Sequence, residues 1–373
     1  MHKTSISPIY RIGDRHMLPL GRRAARWMSA AVGGTRSYLA AMHSQFGDPL
    51  SVCSLEQVAG SATQQLGPHD VACQVLAAPI NHADLNRVEG SYPILPGSLP
   101  ASCGSEGVAR VIGAGPNVQL KPGDRVVPRV WGLGTWANEL VAKDHELSPI
   151  PDETLDDIDA SQVSVSPATA IRMLEDFEQL QPGEHSLVQN CANSAVGRSV
   201  IQLAESRGVP TVNFIRNREG ADEVAEGLRE LGATEVLFPG DEKSDAVHDR
   251  IRNQLPPAVL GLSAAGGEHC RTVAKLLARD GTLVVYGAAD KSSMEINARQ
   301  LLFRNISVRG FWLSNWYMNV SDNARQELLS QVCEEVQRGM VLPAHSFPLE
   351  AFSEALKAAT GPRQGRKVVL TCR

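Results

Sequence analysis

The 373-residue chain has a formal net charge of −5 and only 5% aromatic residues, so its overall balance argues against a nucleic-acid binder. Its length exceeds one ordinary core, which predicts two domains, and no apolar run reaches the roughly 18 residues that a bilayer-spanning helix needs. Seven cysteines, at 53, 73, 103, 191, 270, 333 and 372, stand singly with no CxxC pair, which speaks against a disulfide framework or a cysteine zinc site and for a reducing compartment.

Residues 1–44 hold Lys3, Arg11, Arg15, Arg22, Arg23, Arg26 and Arg36 against one acid, Asp14. "MLPLGRRAARWMSAAVGG" suits a short basic helix with an apolar side and lacks the continuous apolar core of a secretory signal, so 1–44 is expected to be a transit peptide. The fold is then expected to begin near residue 45.

From about 50 to 165, short apolar runs such as "VACQVLAAPINHADLN", "GVARVIGAGPNV" and "GDRVVPRV" are broken by Gly, Pro, Asn and Asp. That spacing predicts an irregular β-rich domain. Within it, "GSYPILPG" sets Tyr92 between a glycine and a proline in a stretch without helical or strand periodicity. A loop phenol is either a cover for apolar surface or an acid, since a phenol keeps its proton at neutral pH.

From about 166 to 317 the rhythm becomes strand, turn, helix. Strand "HSLVQN" precedes helix "SAVGRSVIQLAESRG", followed by strand "TVNFIR", helix "ADEVAEGLRELG", strands "TEVLF" and "PAVLGLS", helix "EHCRTVAKLLARDG" and strand "TLVVYGA". Alternation of this kind predicts a doubly wound parallel sheet. Beyond it come a helical pattern, "ARQELLSQVCEEVQRG", and a last strand, "KVVLTC", expected to return to the first domain.

The turn Asn190 to Gly197, "NCANSAVG", is a degraded dinucleotide fingerprint that keeps one of the expected glycines, Gly197. A preceding strand, a following helix and the small residues Ala192, Ser194 and Ala195 still allow a pyrophosphate to approach the helix N-terminus. At the end of the next strand, "FIRNREG" places Arg216 and Arg218 where an acid would mark NADH, and paired guanidinium groups suit a 2′-phosphate, so NADPH is favoured. Cys and His ligands for a catalytic zinc are missing: Ser105 precedes Glu106, and His82 and Asp84 have no partnering cysteine.

"INHADLNRVEGSYPILPG", "GLGTW", "RMLEDFEQLQPGEHSLVQNCANSAVGRSVIQLA" and "RGFWLSNW" resemble the mitochondrial 2-enoyl thioester reductases, a zinc-free branch of the medium-chain dehydrogenase/reductase superfamily, from residue 50 to the C-terminus. The resemblance implies an α/β architecture: a GroES-like catalytic domain at 45–165 and 318–373, and an NADPH-binding Rossmann domain at 166–317. It implies Tyr92 as the catalytic residue. It implies cofactor contacts at Ser166, Asn193, Ser194, Ala195, Val196, Gly197, Arg216, Asn217, Arg218, Tyr286, Gly287, Ala288, Ala289, Phe311, Trp312, Leu313, Ser314 and Lys367, with no metal. Ser166 and Ser105 stand where the family usually has asparagine, and each shortens a polar side chain.

The implied reaction is NADPH-dependent reduction of a trans-2-enoyl thioester, carried on coenzyme A or acyl carrier protein, in the mitochondrial matrix by a homodimer. A site for it needs an acid near the α-carbon, donors toward the thioester oxygen and a dry acyl pocket. Lys357, Arg363, Arg366, Lys367 and Arg373, with no acid among residues 357–373, offer a basic patch for an acidic carrier. An NADPH quinone reductase of the same superfamily and a catalytically silent NADPH-binding protein remain alternatives.

Overall fold

The computed structural model describes residues 37–60, 66–151, 154–361 and 365–372. Most of the expected transit segment, up to residue 36, lies outside them. The fold starts earlier than the expected residue 45. Ser37–His43 is a strand that pairs antiparallel with Cys53–Ala59 and with Ala101–Ser102, and its Ala40 and Ala41 are buried, one on each face.

The centre of the first domain is the strand Asp70–Pro79, nine of whose ten residues are buried. A strand covered on both faces reads as a continuous apolar run, which "VACQVLAAP" is. It pairs antiparallel with Val108–Ala114, Glu139–Lys143 and Lys367–Thr371. The last of these confirms that the C-terminal strand returns here, and it carries the parallel edge strand Ala344–Pro348 beside it.

Six parallel strands make the second sheet, in the order Glu235–Leu237, Thr211–Phe214, Ser186–Gln189, Ala258–Ser263, Thr282–Val285, Ser307–Gly310. Numbered along the chain that order is 3-2-1-4-5-6, so the direction of winding reverses between Ser186–Gln189 and Ala258–Ser263 and opens a crevice at their carboxyl ends. The helix Ala195–Ser206 starts there and turns Val200, Ile201, Leu203 and Ala204 into the core. A further helix, Asp245–Gln254, was not legible in the sequence. Ser244 caps it, no residue within it is fully buried, and its stripe is thin: Val247 and Ile251, with Leu255 just beyond, rest half-buried on the core.

The two sheets share one core. Leu76 and Val127 from the first, Leu187 and Leu260 from the second, and Ile171 and Met173 from the helix Ser166–Glu175 belong to a single buried cluster. Leu328, Leu329, Val332 and Val336 of the helix Asp322–Gln337 close it. Each fully buried aliphatic side chain contributes about 2 kcal/mol.

Candidate active site

A short helix missed by the β-rich reading, His82–Glu89, delivers the tyrosine loop. Its start has a local cause: the Asp84 carboxylate accepts the Asn81 backbone N–H at 3.2 Å. It ends at Gly90, whose φ of 80° an L side chain rarely adopts and whose missing Cβ leaves room for the Phe46 ring. The loop is then tied on both sides of Tyr92. The Ser91 N–H donates to the Asn86 carbonyl at 2.9 Å, and buried Arg87 donates from Nε to the Ile94 carbonyl at 3.2 Å.

Tyr92 is half-buried, and its ring sits 5.6 Å from Trp131 and 6.2 Å, edge to face, from Trp312. The Trp312 indole N–H donates to the phenol oxygen at 3.0 Å, and buried Ser314 Oγ lies 3.4 Å from the same oxygen. With one lone pair engaged by the indole, the phenol keeps its own O–H free to donate.

Behind the loop is a buried polar network. Lys367 Nζ donates to Asn81 Oδ1 at 2.5 Å and stands 3.5 Å from Ser166 Oγ. Asn81 Nδ2 donates to Glu106 Oε2 at 2.7 Å, Ser164 Oγ donates to Glu106 Oε1 at 3.2 Å, and the Tyr317 hydroxyl donates to the Ser164 carbonyl at 2.8 Å. Burial raises the Glu106 carboxyl from 4.5 to about 7, a rise that the Lys367 charge and the Asn81 hydrogen bond oppose and nearby Asp84 reinforces. Burial likewise lifts Asp84 to about 6. Burial chiefly raises the Tyr317 hydroxyl, with Glu106 adding to the rise and Arg325 opposing it.

The dinucleotide turn fits its expected ligand. Ser194 caps the helix by accepting the Gly197 N–H at 3.1 Å, and a Cβ on Gly197 would come within 2.6 Å of the Ala192 carbonyl oxygen, so this retained glycine is needed for the tight turn. Asn190 Oδ1 accepts the Ala264 N–H at 2.9 Å and its Nδ2 donates to Ser263 Oγ at 2.8 Å, joining the ends of the two strands at the crevice. The Tyr286 hydroxyl is buried next to the turn, faces Ser194 without a well-formed hydrogen bond, and burial, with Cys191 second, raises its pKa. A cradle shaped by glycine, a helix N-terminus and an unsatisfied buried hydroxyl suit a bound dinucleotide.

The expected site residues are not all deployed alike. Tyr92, Trp312 and Ser314 meet at one point, and Ser166 joins Lys367. Asn193 takes a contact from Arg198 Nε to its carbonyl at 3.4 Å, and Ala195 and Val196 open the helix beside it. Arg216 and Asn217 are exposed and Arg218 is half-buried at the rim. Gly287 passes so close to Ala264 that a Cβ would meet its carbonyl at 2.6 Å, while Ala288 and Ala289 are exposed. Leu313 points into the shared core, and Phe311 packs edge to face on Phe177 at 5.9 Å, so neither side chain offers itself to the cleft. Lys367 is a correction. It was grouped with a basic surface patch, but as part of an inner strand its ammonium turns inward onto Asn81. Arg363 and Arg373 lie outside the described residues.

Asn81, Glu106, Ser164, Tyr317 and Trp131 are site residues that sequence reasoning missed. A lone acid directly before the apolar run "GVARV" was the available signal for Glu106. Cys53 and Cys103, distant in sequence, come to 3.8 Å between sulfurs. Among the described residues no group of three His, Cys, Asp or Glu could hold a metal ion, and no helix is long and apolar enough to cross a membrane.

A GroES-like sheet domain packed on a 3-2-1-4-5-6 parallel sheet, with a nucleotide cradle at the crevice, defines a medium-chain dehydrogenase/reductase. Residues 67–152 match the alcohol dehydrogenase GroES-like domain and residues 195–331 the zinc-binding dehydrogenase family. The chain is 38% identical over 335 residues to the mitochondrial enoyl-[acyl-carrier-protein] reductase of Homo sapiens, covering 89% of this chain and 88% of that one. To the Arabidopsis thaliana enzyme of the same name it is 36% identical, covering 88% and 87%. Among solved structures, the Etr1p/NADP/crotonyl-CoA complex superposes with a TM-score of 0.81 at 25% identity, over 90% of this chain and all of that one. The Etr1p/Etr2p heterodimer of Candida tropicalis, a mitochondrial 2-enoyl thioester reductase, gives 0.81 at 26%, over 90% of this chain and 100% of that chain. The chain belongs to the mitochondrial enoyl-[acyl-carrier-protein] reductase family.

Proposed function

We propose that this chain is an NADPH-dependent reductase of trans-2-enoyl thioesters that works in mitochondria, with Tyr92 as its acid. The observation that carries the reading is the Tyr92 hydroxyl, fixed by the Trp312 N–H at 3.0 Å and by a loop tied down at both ends.

The bound dinucleotide would supply a hydride to the β-carbon of the enoyl group. Ser194, Ala195, Val196 and Gly197 would hold the pyrophosphate, with Asn193 and Tyr286 to Ala289 contributing, and Arg216, Asn217 and Arg218 would take the 2′-phosphate. Ser166 and Lys367 orient the nicotinamide end. Tyr92 donates its proton toward the α-carbon, and Ser314 and the Trp312 indole keep the phenol aligned for that transfer. Trp131 and Trp312 cover the phenol and restrict water around it.

The catalytic domain comprises 45–165 and 318–373, joined by Ser37–His43, and the cofactor domain 166–317. Residues before Ser37 serve as the mitochondrial address, and coenzyme A or acyl carrier protein carries the substrate. Two copies associate through the edge strand Ser307–Gly310, all four residues of which are exposed, beside Leu302 at 74% and Phe303 at 65% exposure. The test is crotonyl-CoA reduction by NADPH in the wild type and in Tyr92→Phe. General acid catalysis is worth about 10²- to 10⁴-fold, so kcat should fall by that order. An unchanged rate would remove Tyr92 from the acid role, and reduction of a small quinone without crotonyl-CoA would favour the quinone reductase reading.

A further inference from the structure

A cavity behind Trp131 is lined by a chemical mixture that an alkyl chain does not need. Val127, Val165 and Leu329 give it an apolar wall. Arg129 and Arg325 give it two guanidinium groups, and no Asp or Glu lines it. It adjoins the active site on two sides, because Trp131, whose ring packs on Tyr92, and Ser164, which bonds Glu106, both belong to its wall.

The two cations are poorly compensated. Arg129 pairs with Asp322, whose side chain is 78% exposed and therefore solvated. Arg325 donates to the Tyr317 carbonyl and lies 5.8 Å from the centre of its ring. The Nε–H of each arginine is buried and has no hydrogen-bond partner. Burial and the neighbouring Arg129 disfavour the charge on Arg325, and the solvated Asp322, with Tyr317, only partly offsets them. An alkyl chain would leave these two charges facing each other with their remaining water removed, which is costly, whereas a carboxylate would neutralise them and accept from planar donors.

We propose that this cavity receives the acyl chain of the substrate and that Arg129 and Arg325 select a chain ending in a carboxylate, so that the preferred substrate is the monothioester of a 2-enedioic acid. This rests on the enoyl thioester reading. The apolar wall holds the methylenes, and the arginines hold the far end. The carbonyl attached to sulfur stays with Tyr92.

Binding of saturated product thioesters tests the pocket independently of turnover. Glutaryl-, adipyl- and suberyl-CoA would be compared by calorimetry with pentanoyl-, hexanoyl- and octanoyl-CoA, using enzyme loaded with NADP⁺. A charge-assisted pair should make the carboxylated ligand about tenfold tighter or better in at least one length-matched pair. Arg325→Met and, separately, Arg129→Met should abolish that preference, while Arg325→Lys should keep part of it. Having two sites of substitution guards against one variant failing to fold. Equal or tighter binding of the alkyl ligand at every length overturns the proposal, as does a preference that survives both methionine variants. Reduction of crotonyl-CoA and of glutaconyl-CoA measured on the same wild-type sample separates the two readings: absence of both defeats the enoyl reductase assignment, while the affinity ratio still decides the pocket.

Discussion

Glu106→Gln should abolish a pH dependence of stability that arises from one buried carboxyl. The amide keeps an oxygen for Asn81 Nδ2 and can donate to Ser164 Oγ in place of accepting, so the shape of the network survives and only its titration is lost. In the folded protein the carboxyl titrates at about 7 instead of 4.5. The folded state therefore binds more protons than the unfolded state between those values. The stabilisation from protonated Glu106 is fully present below about pH 4.5 and is lost as pH rises through about 7. The difference corresponds to about 3 kcal/mol. With an unfolding entropy of about 2.1 cal/mol/K per residue over 373 residues, that is a change of about 4 °C in melting temperature. Thermal scans of both proteins, free of cofactor and at one ionic strength, would be run at pH 4.5 and pH 8. The wild type should lose about 4 °C against the glutamine variant between the two conditions. Asp84, raised to about 6 and itself one cause of the Glu106 rise, titrates in both proteins. A melting difference that stays constant within 1 °C would refute the assignment of a raised carboxyl at this position.

Replacing Arg216 and Arg218 together by alanine should raise the KM for NADPH by about tenfold to a hundredfold and leave NADH much less affected, because charge-assisted hydrogen bonds are worth about 1.5–3 kcal/mol each. Equal losses for both cofactors in steady-state assays would sink the 2′-phosphate role. At the proposed dimer surface, Leu302→Lys with Phe303→Asp places charge where each copy would bury about 2 kcal/mol per apolar side chain. Sedimentation should then show a monomer, and an unaltered dimer would move the interface elsewhere.

Periodicity in the second half of the chain was readable because each of its main helices turns an apolar stripe to the sheet, as Val200, Ile201, Leu203 and Ala204 do, and each strand is short, apolar and followed by a turn. The exception, Asp245–Gln254, shows only a thin stripe, Val247 and Ile251 with Leu255 beyond its end, half-buried against the core among charged residues. In the first half, "VACQVLAAPINHADLN" merges a buried strand with the start of a helix, and the break at Asn81 is marked only by the backbone-capping Asp84. Gly90, Tyr92 and the turn ending at Gly197 were legible because loop tyrosines and required glycines have local causes. The polar network was not, since Asn81, Glu106, Ser164 and Lys367 come from four separate stretches of chain.

Local chemistry therefore determined by itself the alternating α/β half, the nucleotide turn and the arginines after the second strand, and it marked Tyr92 as a loop phenol whose acid role only the family resemblance implied. The tertiary structure alone decided that Lys367 faces inward, that Trp312 holds the tyrosine hydroxyl, and that Arg129 and Arg325, 196 residues apart, share one cavity. The reason is physical: hydrogen bonding and turn preferences act over a few residues and leave a mark on neighbouring letters, whereas desolvation and charge pairing depend on which distant segments a shared core brings together.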